Sequence, residues 1–446
     1  MPDASTAAPV TAGAPADPLD VALRIARRLA PVDDVVRAVR GDSLVSRSWN
    51  DHGTASGFAG LALLFGCLDR CREGEGWDRS AHEHLSVAVE AAQQVPYLPP
   101  GLSSGTAGLG FVALCLARGD QRYRRLRRTL DTRLAEYVAA WIEGPEPGDG
   151  RRSRRALDVI TGAAGIAAYL VCRPETDALS SLRGPLLTWL AAHIIDGRLP
   201  LRPGSDAADC GLAHGLPGPV SALALARLRG ITVPGTETAL RTGTAWILDR
   251  RVADRWGTNW PMDDSGSVPP RAAGSVPQGA TGSPPPRTAG SVPPRTPGDE
   301  PPTHAAWCYG APGVARSLLL TGRALGDPAM VRTALNAVEA IRRRPDRQRR
   351  LVAPTFCHGE AGLAHLFHRT AVETGIGGFA AEADRLHRRL AGSFDPSARF
   401  GYRAVQVRGA LTDSPGLLDG AAGVAAVLLS AAVDDPPDWD RLFLVR

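Results

Sequence analysis

A short glycine motif recurs seven times along the chain, and it constrains the fold more than any other feature. In each copy a polar residue is followed by glycine, two further residues, a second glycine and then an apolar run. The first glycines of the seven copies are Gly57, Gly105, Gly162, Gly215, Gly310, Gly359 and Gly420. Such internal recurrence is the signature of a repeat architecture, in which each unit buries its apolar face against its neighbours.

The segments between the glycine motifs have helical periodicity and charged faces, which predicts amphipathic helices. They lie at 18–30, 79–95, 121–142, 182–195, 238–252, 329–344 and 378–392. The apolar runs after the glycines predict buried helices, and alternating strand patterns are scarce. An open solenoid needs a polar cap, but the last motif, at 419–429, is as apolar as the middle ones. We therefore expect an all-α fold, a seven-fold α/α toroid of seven inner and seven outer helices, forming one domain over 18–446.

Two segments fall outside this repeat and are predicted to be disordered. Residues 1–17 form a tail rich in Ala, Pro and Thr. Residues 264–303 form an insert that accounts for the longest gap between motifs, and 266–297 read as one eight-residue Gly/Pro-rich sequence four times over. Such composition cannot bury enough apolar surface to offset the entropy of ordering.

Composition excludes several classes of function. All 51 basic residues are arginine, so a Walker-type phosphate loop, a protein kinase and Schiff-base chemistry each lack their required lysine. The net charge of +5 over 446 residues is too small to indicate binding of nucleic acid. The seven scattered cysteines do not form a secreted disulfide framework, and neither a signal peptide nor an 18-residue apolar stretch is present. These features predict a cytoplasmic protein without membrane insertion.

The residue before the first glycine is polar in every repeat, although the helix that follows is apolar. The seven residues are Ser56, Ser104, Thr161, His214, Tyr309, His358 and Asp419. Serine, threonine and aspartate are common helix N-caps, which is the simplest interpretation of those four positions. Histidine and tyrosine are poor caps, so the other three positions need a different explanation.

Two cysteines directly precede residues of this polar set, in neighbouring repeats. Cys308 precedes Tyr309, and Cys357 precedes His358. Their shared register places Cys308, Cys357 and His358 at the same level on adjacent inner helices. Two thiolates and one imidazole are three zinc ligands that leave a fourth position open, as catalytic zinc sites do. The pattern predicts one Zn²⁺ per chain.

His214 belongs to the repeat before the one that carries Cys308, and Asp158 lies a few residues before the third motif. His214 is either a functional group or a satisfied core histidine. A carboxylate beside an apolar helix must be paired or hydrogen-bonded. Asp158 could therefore orient His214, bind a substrate amide or hydroxyl, or serve as a local cap or ion-pair partner of Arg154 or Arg155.

The motifs DVITG, GLAHG, AWCYG and FCHGEAG resemble those of the lanthionine synthetase C-like cyclases, and the resemblance extends from about residue 50 to 430. It implies the seven-fold α/α barrel and a zinc ion bound by Cys308, Cys357 and His358. The implied reaction is addition of a peptide cysteine thiol to dehydroalanine or dehydrobutyrine in a dehydrated precursor peptide, closing a thioether ring. The implied catalytic residues are His214 as acid/base, Asp158 as its partner or substrate anchor, and Tyr309 as a nearby polar contact.

One position departs from the family pattern, which commonly has arginine four residues before the first zinc cysteine. Here that residue is His304. A protonated His304 could replace the arginine in stabilising an enolate, or the insert could have displaced the alignment. A non-catalytic zinc scaffold that binds a thiol or peptide is therefore the alternative. A prenyltransferase-like zinc enzyme is disfavoured by an aromatic content of only 5%.

The resemblance also bears on partners. No dehydratase module precedes residue 50, so we expect a free-standing cyclase that works with a separate dehydratase and an export transporter.

Overall fold

The structure is a computed structural model that describes residues 16–119, 122–144, 156–174, 179–202, 205–265, 303–405 and 409–446. The tail predicted at 1–17 and the insert predicted at 264–303 lie almost entirely outside these ranges. Within them the chain is built of α-helices joined by short connections. No helix in the described ranges combines the length and apolarity needed to cross a membrane.

Each of the seven glycine motifs is followed by a helix, as predicted. These motif helices are α4 (Phe58–Cys71), α6 (Thr106–Cys115), α8 (Ala163–Val171), α10 (Pro217–Leu228), α12 (Ala311–Leu325), α14 (Glu360–Thr374) and α16 (Ala421–Ala432). α8 and α16 are buried over all or nearly all of their length, which explains why their sequences show no polar face.

All seven amphipathic helices are confirmed as well. They are α1 (Pro18–Leu29), α5 (Trp77–Gln94), α7 (Arg124–Glu143), α9 (Ser180–Ile195), α11 (Thr236–Asp249), α13 (Pro328–Arg343) and α15 (Gly377–Gly392). The short helices α2 (Val32–Gly41) and α3 (Ser43–Ser48) were not predicted from the sequence. Nor were two small antiparallel hairpins, β1 (Val252–Asp254) with β2 (Gly257–Asn259) and β3 (Ala404–Val405) with β4 (Leu411–Thr412).

The chain divides into two compact units, and the single domain predicted over 18–446 stays a prediction. One unit comprises Met1–Leu98, Phe111–Leu126 and Val352–Trp439. Within it α4 packs on α5, α14 packs on α15, and the last motif helix α16 packs on the first amphipathic helix α1. Helix α16 also contacts α4, so the last and the first motif helices are neighbours.

The other unit comprises Pro99–Gly110, Arg127–Leu351 and Asp440–Arg446. Here too motif helices pair with amphipathic helices: α8 packs on α9, α10 on α11 and α12 on α13. Helix α10 also packs against both α8 and α12. Consecutive motif helices are therefore neighbours in this unit.

The second glycine of the motif is required because the preceding loop passes directly over the first helical turn. A Cβ added at Gly362 would lie 1.9 Å from the carbonyl oxygen of Phe356, six residues earlier. The same six-residue relation occurs at Gly423, where a Cβ would lie 2.0 Å from the oxygen of Leu417. A side chain at either position would collide with main-chain atoms that cannot move independently.

This loop also satisfies the first-turn N–H groups of the helix, which otherwise have no partners. In α14 the N–H of Glu360 donates to Ala353 O at 2.9 Å, and that of Ala361 donates to Pro354 O at 3.2 Å. The main-chain carbonyl oxygens of the loop thus accept the hydrogen bonds that an N-cap side chain would otherwise accept. The N-cap interpretation is consequently wrong for Ser56, Thr161 and Asp419, because the cap residue is the following glycine in each case and no side chain caps the helix.

Candidate active site

The loops before the motif helices carry all of the predicted site residues. Cys308 precedes α12 in one unit, and Cys357 and His358 precede α14 in the other. Two thiols and an imidazole are the donors that bind zinc and other borderline-soft metals, so the residues fit the predicted metal.

Cys357 and His358 are held by the loop before the seventh motif. The Cys357 N–H donates to Leu418 O at 3.0 Å, which ties the two loops together through the main chain. The next residue, Asp419, places Oδ1 3.4 Å from Nδ1 of His358. Burial raises the pKa of Asp419, while the charge of His358 and a hydrogen bond from Cys357 oppose that rise. Carboxylates beside metal-binding histidines commonly orient the ring.

Asp158 and His214 are brought together across two loops. Nδ1 of His214 lies 3.0 Å from Oδ2 of Asp158, and the carboxylate is 4% exposed while the imidazole is 45% exposed. The other oxygen, Oδ1, accepts hydrogen bonds from the N–H of Thr161 at 2.7 Å and its Oγ1 at 3.1 Å. The Val159 N–H donates to Ala213 O at 3.0 Å and keeps the loops in register. Of the interpretations left open for Asp158, the structure contains both the contact with His214 and a local cap-type hydrogen bond with the Thr161 N–H, while Arg154 and Arg155 lie outside the described residues.

Tyr309 lies beside this pair, with its ring centroid 6.4 Å from that of His214. Its hydroxyl donates to Oδ2 of Asp209 at 3.0 Å. Burial raises the pKa of Tyr309, and the nearby negative charge of Asp209 raises it further. The hydroxyl therefore stays protonated well above neutral pH.

Asp209 is a site residue that the sequence analysis missed. It is 2% exposed, and burial raises the pKa of its carboxyl, which hydrogen bonds from Gly211 and Tyr309 partly offset. The available signal was an aspartate in a mostly apolar stretch five residues before His214. Such a residue must be hydrogen-bonded when buried, but the sequence does not identify the partner.

His304 is directed to the main chain of the loop before the sixth motif. Its Nδ1 lies 2.9 Å from the carbonyl oxygen of Arg350, in an exposed setting. The adjacent residue, Ala305, repeats the connection through its N–H, which donates to Arg349 O at 2.9 Å. This contact anchors the segment that leads to Cys308.

One further cysteine and one further histidine lie outside the site. Burial raises the pKa of Cys210 to about 12, so this thiol is an inert packing group. His365 is fully buried on α14, with its ring centroid 5.0 Å from that of Trp439. Both residues therefore contribute to packing in the interior.

Comparisons with known proteins identify the family and the fold. A family model described as lanthionine synthetase C-like protein matches residues 48–444. Nisin biosynthesis protein NisC of Lactococcus lactis subsp. lactis is 23% identical over 338 residues, which cover 70% of this chain and 72% of that protein. The solved structure of nisin cyclase matches with a TM-score of 0.69 at 19% identity, over 93% of this chain and 97% of that one. This likeness shows the fold, which is the predicted α/α toroid.

Proposed function

This chain belongs to the lanthionine synthetase C-like family, and we propose that it is a zinc-dependent lanthipeptide cyclase. In the proposed reaction a cysteine thiol of a dehydrated precursor peptide adds to a dehydroalanine or dehydrobutyrine of the same peptide. The product is a lanthionine or methyllanthionine ring. The observation that carries the proposal is the family match over residues 48–444, in a chain whose Cys308, Cys357 and His358 are of the residue types that bind zinc.

One zinc ion per chain would be held by these three residues, with a fourth position left for the substrate sulfur. Zinc bound there would supply a thiolate at neutral pH, since metal coordination deprotonates a thiol. Asp419 supports this site by placing its carboxylate beside His358.

His214 is the proposed acid and base. The Asp158 carboxylate accepts the Nδ1 proton, so Nε2 is the nitrogen that would take a proton from the incoming thiol and return one later. The sulfur–carbon bond forms at the β-carbon, and the electron pair of the double bond moves onto the α-carbon and its carbonyl as an enolate. The Nε2 proton then adds to the α-carbon, so the peptide gains a ring with no change of mass.

The enolate oxygen needs stabilisation of its negative charge. His304 is the residue at the position where family members commonly have arginine, and a protonated ring could supply positive charge there. Its Nδ1 contact with the Arg350 carbonyl requires a proton on that nitrogen, because a carbonyl oxygen only accepts hydrogen bonds. Charging of the ring is thus compatible with the observed contact.

We further propose that the protein acts in the cytoplasm, after a separate dehydratase and before an export transporter. All seven cysteines are present as thiols, and a reaction that consumes a thiol needs reducing conditions.

The test uses a synthetic peptide that contains one dehydroalanine and one cysteine further along its chain. After incubation with the zinc-loaded protein, free thiols are alkylated and the mass of the peptide is measured by mass spectrometry. Alkylation is needed because cyclisation itself leaves the mass unchanged. We expect loss of alkylatable cysteine well above the rate without protein. The same peptide with serine in place of dehydroalanine should keep its thiol.

The alternative is a zinc scaffold that binds the peptide without closing a ring. Unchanged alkylation by a protein with one zinc per chain and measurable peptide binding would establish that alternative and refute the cyclase.

A further inference from the structure

Two buried carboxylates each form a hydrogen bond with a different candidate functional side chain. Asp158 contacts Nδ1 of His214, and Asp209 contacts the hydroxyl of Tyr309. The His214 pair follows from the proposed function. The Asp209 pair does not, and its geometry gives Tyr309 a defined chemical role.

Asp209 has both carboxylate oxygens in use. Oδ1 accepts the Gly211 N–H at 2.8 Å, and Oδ2 accepts the Tyr309 hydroxyl at 3.0 Å. An ionised carboxylate only accepts hydrogen bonds, so Tyr309 must be the donor in this pair. The phenolic proton therefore points to Asp209, and the lone pairs of the phenolic oxygen remain as hydrogen-bond acceptors.

Gly211 provides the surface on which the tyrosine ring lies. A Cβ added there would be 2.7 Å from Cδ1 of Tyr309 and 2.2 Å from the main-chain oxygen of Cys308. The ring is thus packed directly on the main chain, where no side chain could fit. Asp209 and Gly211 together fix the ring plane and the direction of the hydroxyl.

The main chain of Asp209 is itself anchored. Its N–H donates to Pro200 O at 2.9 Å, and the residue forms an isolated antiparallel bridge with Asp263. Asp263 in turn is paired with Arg202, whose positive charge acts on both Asp209 and Tyr309. An immobile carboxylate with a nearby cation suits a group that orients a partner.

We propose that Asp209 is a positioning residue that holds the Tyr309 proton in a hydrogen bond. The phenolic oxygen can then accept a hydrogen bond from a main-chain N–H of the precursor peptide. The proposal rests on the proposed function for the identity of the ligand. It assigns proton transfer to His214 and substrate orientation to Tyr309, because the Tyr309 proton is held by Asp209.

The test measures binding separately from turnover. The ligand is the synthetic dehydroalanine peptide with alanine in place of cysteine, which cannot cyclise, and its Kd is measured by calorimetry with the zinc-loaded protein. Loss of one net hydrogen bond corresponds to a Kd raised about 3- to 10-fold. We expect Tyr309→Phe to show this change, and to raise KM for the cysteine peptide by the same factor, whereas His214→Ala lowers kcat.

Asp209 is tested by two variants. Asp209→Ala should weaken binding as much as Tyr309→Phe does, and the double variant should weaken it no further. Asp209→Asn keeps the volume of the side chain, but its amide can accept from only one of the two donors, so an intermediate Kd is expected. The matched control is Asp254→Asn, which disturbs a buried carboxylate bonded to Arg344 and should leave Kd unchanged.

Several results would overturn the proposal. A wild-type Kd in Tyr309→Phe or in both Asp209 variants would remove the positioning role. A collapse of kcat in Tyr309→Phe, together with loss of the alkaline limb of its pH profile, would make Tyr309 the proton donor. Failure of the cyclase proposal is distinguishable, because a wild-type protein that binds the alanine peptide but leaves the cysteine peptide open fails only in turnover.

Discussion

Asp158 and His214 meet through Oδ2 and Nδ1 at 3.0 Å, and the pair joins a buried carboxylate to an imidazole that is open to solvent. The carboxylate is held by two further hydrogen bonds from Thr161, so it cannot follow the ring if the ring turns. The arrangement fixes which nitrogen of His214 is presented outward. It is the arrangement expected of a histidine that exchanges protons with a substrate.

The first prediction concerns this pair. Asp158→Asn removes the negative charge that stabilises the imidazolium and leaves an amide that can present its NH₂ to the ring. We expect kcat for thiol consumption to fall on the order of 10²-fold, while zinc content is unchanged. The measurement is single-turnover alkylation of the cysteine–dehydroalanine peptide.

Thr161→Val is the matched control for Asp158→Asn. It removes one hydrogen bond to Oδ1 but leaves the contact with His214 intact. Its kcat should stay within a few-fold of wild type. Equal losses in the two variants would mean that Asp158 acts through the stability of the loop.

The second prediction concerns the metal. Alanine at Cys308, Cys357 or His358 should lower zinc content below one per chain, because each residue supplies one ligand. Metal analysis after dialysis is the measurement. Zinc affinity should also fall as the pH is lowered, since the ligands must be deprotonated to bind.

Cys210→Ala is the control for the metal prediction, because that thiol is buried and burial raises its pKa to about 12. The variant should keep one zinc per chain. A Cys357→Ala protein that also retains a full zinc would refute the ligand assignment.

The helices could be predicted closely from the sequence because burial imposes its own period on the residues. The seven amphipathic segments were located to within a few residues, as for 182–195, which forms α9 (Ser180–Ile195). Cys308 and Cys357 could be proposed as metal ligands because they share one position in two repeats, and equivalent positions in a repeat fold have equivalent surroundings.

Hydrogen bonds between loops could not be predicted in the same way. Thr161 has the sequence of an N-cap, yet its N–H and hydroxyl bind Asp158, and Gly162 is the cap residue. The main chain of the preceding loop outcompetes the side chain for the first-turn N–H groups, as at Glu360 and Ala361. Asp209 was missed for the same reason, since its partner Tyr309 lies 100 residues away along the chain.

The third prediction concerns stability in acid. His387 on α15 is 3% exposed, and burial, together with the nearby His368 and His365, lowers its pKa to about 3 from an ordinary value of 6.5. Between those values the unfolded state binds a proton that the folded state does not. The free energy of unfolding should therefore decrease as the pH falls below about 6.5, by at most ~1.4 kcal/mol per pH unit from this residue.

The measurement for His387 is urea denaturation at several pH values. His387→Leu should flatten the slope between pH 6.5 and 4, because the titrating group is gone. The exposed His82→Gln is the control and should keep the wild-type slope. An unchanged slope in His387→Leu would assign the acid sensitivity to other groups.

The fourth prediction concerns the loop that carries the metal ligands. A Cβ at Gly362 would lie 1.9 Å from the oxygen of Phe356, the residue before Cys357. Gly362→Ala must therefore displace the main chain beside two ligands, and we expect a loss of ~1–3 kcal/mol or more in unfolding free energy. We also expect weaker zinc binding, measured by competition with a chelator.

Gly184→Ala is the control for Gly362→Ala. Gly184 lies within α9, and its Cβ would meet nothing within 4 Å. Relief of glycine entropy should therefore stabilise the protein by about 0.5–1 kcal/mol. Wild-type stability and zinc affinity in Gly362→Ala would show that the loop does not need the close approach to hold Cys357 and His358 in place.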